Sequence, residues 1–170
     1  MNEFKGYILV YTEVAMSLIE NLVKALNTDK IPYAIVGGVA VALHGAPRGT
    51  IDLDIVIKHK AEFFESVEIC LKSMGFLPRL PVTAREVFNF KNEYITRRNM
   101  IAWSFYNPTN PLEVVDIILT HDLSDMKAVN MKMGLITLRV LSVEDLIRMK
   151  SKSGRPQDIE DIRVLKELTK

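Results

Sequence analysis

The chain has 170 residues, 48% of them hydrophobic and 25% charged, which predicts one globular domain with its own core and excludes a disordered or fibrous chain. Its 22 basic and 21 acidic residues give a formal net charge of +1, so no overall field draws it to nucleic acid or to an anionic membrane. The single cysteine, Cys70, excludes an internal disulfide and a cysteine-based zinc site, and no apolar run approaches the roughly 18 residues that span a bilayer. We therefore expect a soluble, unprocessed, cytoplasmic protein with no membrane partner.

The first half of the chain alternates helical and strand patterns. Apolar residues recur every three or four positions over residues 7–26, which predicts an amphipathic helix. The pattern then predicts a strand at 33–36, a short helix at 38–44, a second strand at 51–57 and a helix at 61–74. Gly75 stands where the last of these helices should be capped.

The second half predicts short strands followed by two helices. Prolines separate short apolar or alternating runs, and we expect strands at 76–77, 86–90, 99–105, 112–119 and 136–141. The methionine-rich piece at 126–133 fits neither pattern.

The last two predicted helices span residues 143–150 and 156–168. Ser142 and Asp145 resemble a capping box, and Pro156 suits a first helical turn. Together the elements predict a single α+β domain over residues 1–170, with a mixed sheet flanked by helices. Residues 142–170 form a helical extension packed on the core.

Two aspartates stand inside an otherwise apolar strand. Asp52 and Asp54 flank Leu53, so both side chains point to the same face of the strand. Like charges on a half-buried face repel each other and are costly to desolvate unless a cation neutralises them. Magnesium prefers hard oxygen ligands of this kind. We therefore predict a metal site at Asp52 and Asp54.

Gly37 and Gly38 mark the turn from the preceding strand into a short helix. Glycine lets the backbone approach a phosphate closely, and the start of a helix offers free N–H groups and a positive dipole end. Arg48 and Thr50 lead into the aspartate strand and bring a guanidinium and a hydroxyl to the same side. These four residues predict a nucleotide phosphate site beside the metal.

The Gly-Gly pair, followed by Arg48, Thr50, Asp52 and Asp54 in the order R-x-T-x-D-x-D, resembles the nucleotidyltransferase superfamily that contains DNA polymerase beta. The R-x-T-x-D-x-D form is similar to the branch with AbiEii-type toxins and other minimal nucleotidyltransferases. The resemblance implies a polymerase-beta-type fold, a two-metal Mg²⁺ site held by the aspartates, and a nucleoside triphosphate substrate held by the glycines.

In this superfamily a third carboxylate comes from a neighbouring strand. The run at 112–119 offers Asp116 and Glu113, which lie on opposite faces of a strand because they are three positions apart. Asp116 is the preferred residue, completing the acceptor-side metal and taking the proton of the acceptor hydroxyl. Glu113 is the alternative.

A second motif near the C-terminus is similar to the closing motif of AbiEii-like proteins. The resemblance implies that Lys150 touches the nucleotide phosphates and that Arg155 or Asp158 organises the site. The helix dipole alone is an alternative explanation, because it favours cations near a helix end and carboxylates in a first turn. The matching positions are Leu146, Lys150, Gly154, Arg155, Asp158 and Asp161.

The implied reaction transfers a nucleoside monophosphate from a nucleoside triphosphate to an acceptor hydroxyl on RNA such as a transfer RNA end, on a protein or on a small molecule. A cognate partner protein of a toxin–antitoxin pair also fits the resemblance. Related proteins carry Ser, Thr or Lys at or just after the second glycine, whereas residues 39–43 here have neither a hydroxyl nor an amine. The alternative is therefore a catalytically degenerate binding or antitoxin-like module. A magnesium phosphohydrolase ranks last, because no nucleophile is arranged for it.

Overall fold

The computed structural model describes residues 3–50 and 52–169, with side chains from residue 16 onward. Within that part of the chain the helices are α1 (Glu3–Thr28), α2 (Gly37–Leu43), α3 (Ala61–Ser73), α4 (Ala84–Arg98), α5 (Val143–Ser153) and α6 (Pro156–Leu168). The strands are β1 (Tyr33–Ile35), β2 (Leu53–Ile57), β3 (Leu77–Pro78), β4 (Ala102–Asn107), β5 (Asn110–Ile118), β6 (Ala128–Met133) and β7 (Ile136–Leu141). A 3-10 turn spans Leu123–Asp125.

All of these strands form one mixed sheet in the order β3-β4-β5-β2-β1-β7-β6. The pairs β2–β5 and β1–β7 are parallel, and the other neighbours are antiparallel. The α+β class with a mixed sheet and helices is therefore confirmed. No helix within residues 3–50 and 52–169 is long and apolar enough to cross a membrane.

One face of the central strands forms the hydrophobic core. Trp103 and Phe105 of β4 lie opposite Ile117 and Val115 of β5, and all four side chains are buried. The ring of Phe64 from α3 stacks on Trp103 with the ring centroids 6.4 Å apart. Each such side chain contributes about 1.5–3 kcal/mol by leaving water, so this face fixes the sheet on the helices.

The strand predicted at 86–90 is wrong, because these residues belong to α4. The Thr83 hydroxyl accepts a hydrogen bond from Glu86 N, and the Glu86 carboxylate accepts one from Thr83 N at 2.8 Å. This capping box starts the helix, and Ala84 and Val87 then turn the same face to the core. The capping signal outweighs the short apolar run that follows it.

Other boundaries also differ from the prediction. The methionine-rich segment forms β6, paired with β7 along its whole length. Ser142 caps α5, but the Asp145 carboxylate accepts from Lys127 N at 2.6 Å rather than turning back to the cap. Ile51, predicted to open the second strand, lies outside the described residues, and β2 begins at Leu53.

Candidate active site

Three polar residues form a row across the face of the sheet opposite the core. Asp54 of β2 pairs in register with Asp116 of β5, and Asp116 pairs with Ser104 of β4. Residues paired in register share a face, and neighbouring strands lie about 4.8 Å apart. Two carboxylates therefore stand side by side in the middle of the sheet.

This row is electrostatically unbalanced. Burial and, after it, the charges of Asp116 and Asp52 raise the pKa of Asp54 to about 7, against a smaller lowering by Lys150 and Arg155. Burial also raises the pKa of Asp116, although hydrogen bonding from Ser104 opposes the rise. Among the described residues, Asp116 Oδ1 is buried and has no hydrogen-bond partner. These are conditions in which a bound cation would stabilise both carboxylates.

The glycine turn packs directly on the aspartate strand. Gly37 has φ +63°, and a Cβ at this position would lie 1.8 Å from Asp54 Oδ2. A Cβ at Gly38 would lie 2.9 Å from Thr50 Cβ. Any side chain at Gly37 would collide with the carboxylate, so the close approach of α2 to Asp54 and Thr50 depends on these glycines.

A second charged cluster closes the cavity from the C-terminal helices. Lys150 Nζ of α5 donates to Asp161 Oδ2 at 2.7 Å and to Asp158 Oδ1 at 3.2 Å, both on α6. Arg48 Nε lies 3.4 Å from Asp161 Oδ1, which ties the segment before β2 to the same cluster. All but Arg48 are buried, with Lys150 between the two carboxylates.

Arg155 lies at the outer edge of this cluster. Its side chain is 68% exposed, and its Nε is 3.5 Å from Asp158 Oδ2. Burial alone would raise the pKa of Asp158, but hydrogen bonds from Ser153 and Lys150 hold it below its ordinary value. Asp158 is therefore a carboxylate matched by cations, unlike Asp54.

Residues from both groups line one open cavity of about 480 Å³. The ten residues preferred for the metal and nucleotide sites reach its wall, although their individual roles stay predictions. They are Gly37, Gly38, Arg48, Thr50, Asp52, Asp54, Asp116, Lys150, Arg155 and Asp158.

Glu113, the alternative third carboxylate, does not line this cavity. Its two carboxylate oxygens accept from Asn107 Nδ2 at 2.7 Å and from Asn110 Nδ2 at 3.0 Å. It therefore belongs to the hairpin that joins β4 to β5, whereas Asp116 lies in the cavity.

Sequence reasoning missed the wall between α4 and β4. Asn99, Met100 and Ile101 line the cavity, with Asn99 in the left-handed conformation that ends α4. Besides glycine, asparagine commonly takes this position. A sequence prediction that included helix α4 could therefore have identified Asn99 as its end. Ser104 could have been found from the alternation of its strand, because it stands between Trp103 and Phe105 and must face the side of the sheet opposite these aromatic residues.

The donor set fits magnesium. Across residues 3–50 and 52–169 no three His, Cys, Asp or Glu side chains are gathered into a ready-made metal cluster. The cavity nevertheless offers the hard carboxylate oxygens of Asp52, Asp54 and Asp116, and Asp116 Oδ1 lacks a partner among the described residues. Magnesium keeps several waters and needs only one or two protein carboxylates together with substrate phosphates.

No protein-family model and no curated protein sequence matches the chain. Solved structures do match it. The antibiotic-resistance factor ANT(2'')-Ia aligns over 91% of this chain and 82% of its own, with a TM-score of 0.60 and 15% identity. The lincosamide antibiotic adenylyltransferase LnuA, solved with lincomycin bound, aligns over 89% of this chain and 96% of its own, with a TM-score of 0.59 and 16% identity.

A third match is an antigenic nucleotidyltransferase-like protein from Paracoccidioides brasiliensis. It aligns over 90% of this chain and 75% of its own, with a TM-score of 0.57 and 20% identity. The chain therefore has the nucleotidyltransferase fold, as the sequence resemblance predicts. At these identities the likeness is one of fold.

Proposed function

We propose that this protein is a magnesium-dependent nucleotidyltransferase that transfers a nucleoside monophosphate from a nucleoside triphosphate to an acceptor hydroxyl. One observation carries the proposal: Asp54 and Asp116 stand in register on adjacent strands, with the Gly37 turn packed against the Asp54 carboxylate. A like-charged pair in a cavity marks a site that needs a cation and is a strong functional signal.

In the proposed reaction the acceptor oxygen bonds to the α-phosphorus while the bond to the bridging oxygen of the leaving pyrophosphate breaks. Asp116 takes the hydroxyl proton, a role that its raised pKa favours. The backbone of Gly37 and Gly38 cradles the triphosphate, and Arg48 neutralises part of its charge. Magnesium held by Asp52, Asp54 and Asp116 would neutralise charge on both the attacking and the leaving oxygens.

Lys150 and its neighbours fit a supporting role in this proposal. An ammonium group has three N–H donors, and Lys150 directs two of them to Asp158 and Asp161. The third donor remains for a phosphate oxygen at the cavity wall. Arg155, at the outer edge of the cluster, adds a second, exposed positive charge that a triphosphate would attract.

We propose a small-molecule hydroxyl as the acceptor, ahead of RNA or protein. The cavity of about 480 Å³ has the size of a small-ligand site, and the net charge of +1 provides no general attraction for a polyanion. ANT(2'')-Ia has been solved with adenylyl-2''-tobramycin, and LnuA with lincomycin. Cytoplasmic location, the AbiEii-type branch and a cognate partner protein are parts of the proposal that rest on the sequence alone.

Product analysis tests the proposal. The protein is incubated with each α-labelled nucleoside triphosphate, magnesium and a panel of hydroxylated small molecules, RNAs and proteins. We expect labelled acceptor and pyrophosphate with the wild type and with Glu113→Gln, whose carboxylate lies on β5 outside the cavity. Asp54→Asn and Asp116→Asn should yield neither product. Release of inorganic phosphate in place of pyrophosphate would indicate hydrolysis and overturn the proposal.

A second candidate is a nucleotide-binding module without turnover. It is favoured by the buried, wholly apolar course of α2 after Gly38, where Val39, Ala40 and Val41 supply no phosphate-binding group. This candidate predicts that the purified protein binds a nucleoside triphosphate or a macromolecular partner and forms no pyrophosphate under any acceptor condition.

A further inference from the structure

The part of α2 that follows Gly38 offers no side-chain hydroxyl to a phosphate. Val39, Ala40 and Val41 are at most 6% exposed and belong to the hydrophobic core. A triphosphate lying along this turn would therefore meet only backbone N–H groups from the helix. If the site binds phosphate through a hydroxyl, that hydroxyl must come from another segment.

Thr50 occupies the space that a side chain at position 38 would need. A Cβ built on Gly38 would lie 2.9 Å from Thr50 Cβ, 3.0 Å from Thr50 Cγ2 and 3.0 Å from Thr50 Oγ1. All three distances are too short for both residues to carry side chains without a shift. Gly38 and Thr50 also line the same cavity, next to Asp54.

We propose that the Thr50 hydroxyl is the phosphate-binding hydroxyl of this site, placed where the side chain of a serine at position 38 would lie. This inference rests on the proposed function. The Thr50 O–H would donate to a non-bridging phosphate oxygen, in the strong class of hydrogen bonds to a charged acceptor. Gly38 then has a second purpose, because only glycine leaves room for the threonine.

The same arrangement places two phosphate ligands on one short segment. Arg48 and Thr50 are separated by Gly49, at which a Cβ would meet nothing within 4 Å. Arg48 is held by the charge of Asp161, with Nε 3.4 Å from Asp161 Oδ1, and by its Nη1, which donates to Gly49 O at 3.5 Å. A guanidinium and a hydroxyl from residues 48–50 would together replace the side-chain grip that α2 lacks.

Binding of a nucleoside triphosphate, measured by calorimetry with magnesium and a non-hydrolysable analogue of each nucleotide, tests this assignment. Thr50→Val keeps the shape and removes the hydroxyl, and we expect it to weaken binding about tenfold or more. Thr50→Ser keeps the hydroxyl and should bind more tightly than Thr50→Val. Thr137→Val, on the exposed side of β7, is the matched control and should bind like the wild type.

A reciprocal exchange tests the position of the hydroxyl. Gly38→Ser alone should weaken binding because its Cβ meets Thr50. Combined with Thr50→Gly, the same serine should bind more tightly than Thr50→Gly alone. Wild-type binding by Thr50→Val, with a melting temperature close to that of the wild type, would overturn the assignment and leave the proposed function standing. Failure of the wild type to bind any triphosphate would overturn both.

Discussion

Two pairs of aspartates, one in the sheet and one on α6, differ in how their charge is matched. Asp54 and Asp116 lie side by side on β2 and β5, where burial and the charges of Asp116 and Asp52 outweigh the opposing charges of Lys150 and Arg155 on the pKa of Asp54. Asp158 and Asp161 lie one turn apart on α6 and share the Lys150 ammonium. The pKa of Asp54 is raised to about 7, whereas that of Asp158 is lowered.

This difference in charge matching distinguishes a ligand-binding carboxylate pair from a structural one. A carboxylate pair that the fold itself neutralises has its electrostatic partner in the apo protein and can hold helices together. A pair left without a cation costs free energy in the apo protein and is compensated when a ligand brings positive charge. We therefore assign the metal and the chemistry to the sheet, and structural support together with phosphate contacts to the segment of α5 and α6.

The largest effect is expected from neutralising the unmatched pair. Asp54→Asn and Asp116→Asn should lower nucleotidyl transfer by about a thousandfold or more, because each removes a reacting or metal-holding carboxylate. The free energy of unfolding should stay level or rise, because a buried like charge disappears. Initial rates and urea unfolding check both outcomes, and equal activity in either variant would break the comparison.

Removing the Lys150 ammonium from between Asp158 and Asp161 should mainly lower the stability of the fold. Lys150→Met leaves two buried carboxylates without their partner, and we expect a loss of about 3–5 kcal/mol in the free energy of unfolding. Lys152→Met, on the exposed side of the same helix, is the control and should change it by less than about 0.5 kcal/mol. Equal urea midpoints for the two variants would show that the buried cluster contributes no stability.

The raised pKa of Asp54 should make the folded protein less stable as the pH rises. Because the folded-state pKa of Asp54 is about 7 against an ordinary 3.8, the folded protein binds more protons than the unfolded chain between those values. The contribution of Asp54 to stability is therefore fully present below pH 3.8 and is lost as the pH rises through 7. Urea unfolding in metal-free buffer at pH 5 and pH 8 should show this loss in the wild type and a smaller one in Asp54→Asn.

The smallest effect is expected from a carboxylate in neither pair. Glu160 stands on the solvent side of α6 and pairs with Arg163 at 2.6 Å. Exposed ion pairs contribute little, so Glu160→Gln should leave the melting temperature within about 2 °C and the transfer rate unchanged. A melting curve of Glu160→Gln beside Asp161→Asn would show whether burial makes the difference, and a similar loss in both would contradict that.

Features encoded by neighbouring residues were predictable from the sequence. The two-residue repeat of Asp52 and Asp54 in an apolar run, and the glycines before it, identify the strand and the turn without tertiary information. The strand predicted at 86–90 is wrong because the capping box of Thr83 and Glu86 starts a helix that runs through the short apolar segment.

Features that depend on pairing across the fold were not predictable in the same way. The strand predicted at 112–119 offered two candidates for the third carboxylate, Asp116 and Glu113, on opposite faces. The parallel register of β2 with β5 is what places Asp116 beside Asp54. The capture of Lys150 by Asp161 joins two helices, and the contact of Thr50 with Gly38 joins two segments 12 positions apart. Such contacts follow from packing and leave no periodic signal in the chain.

The most direct test of a magnesium and nucleotide site at Asp54 is a thermal shift measurement with each nucleoside triphosphate, with and without magnesium, on the wild type and Asp54→Asn. Ligand that binds only the native state raises apparent stability by mass action. We expect a rise in melting temperature that needs both nucleotide and magnesium and is absent in Asp54→Asn. An equal rise in Asp54→Asn, or a rise independent of magnesium, would contradict it.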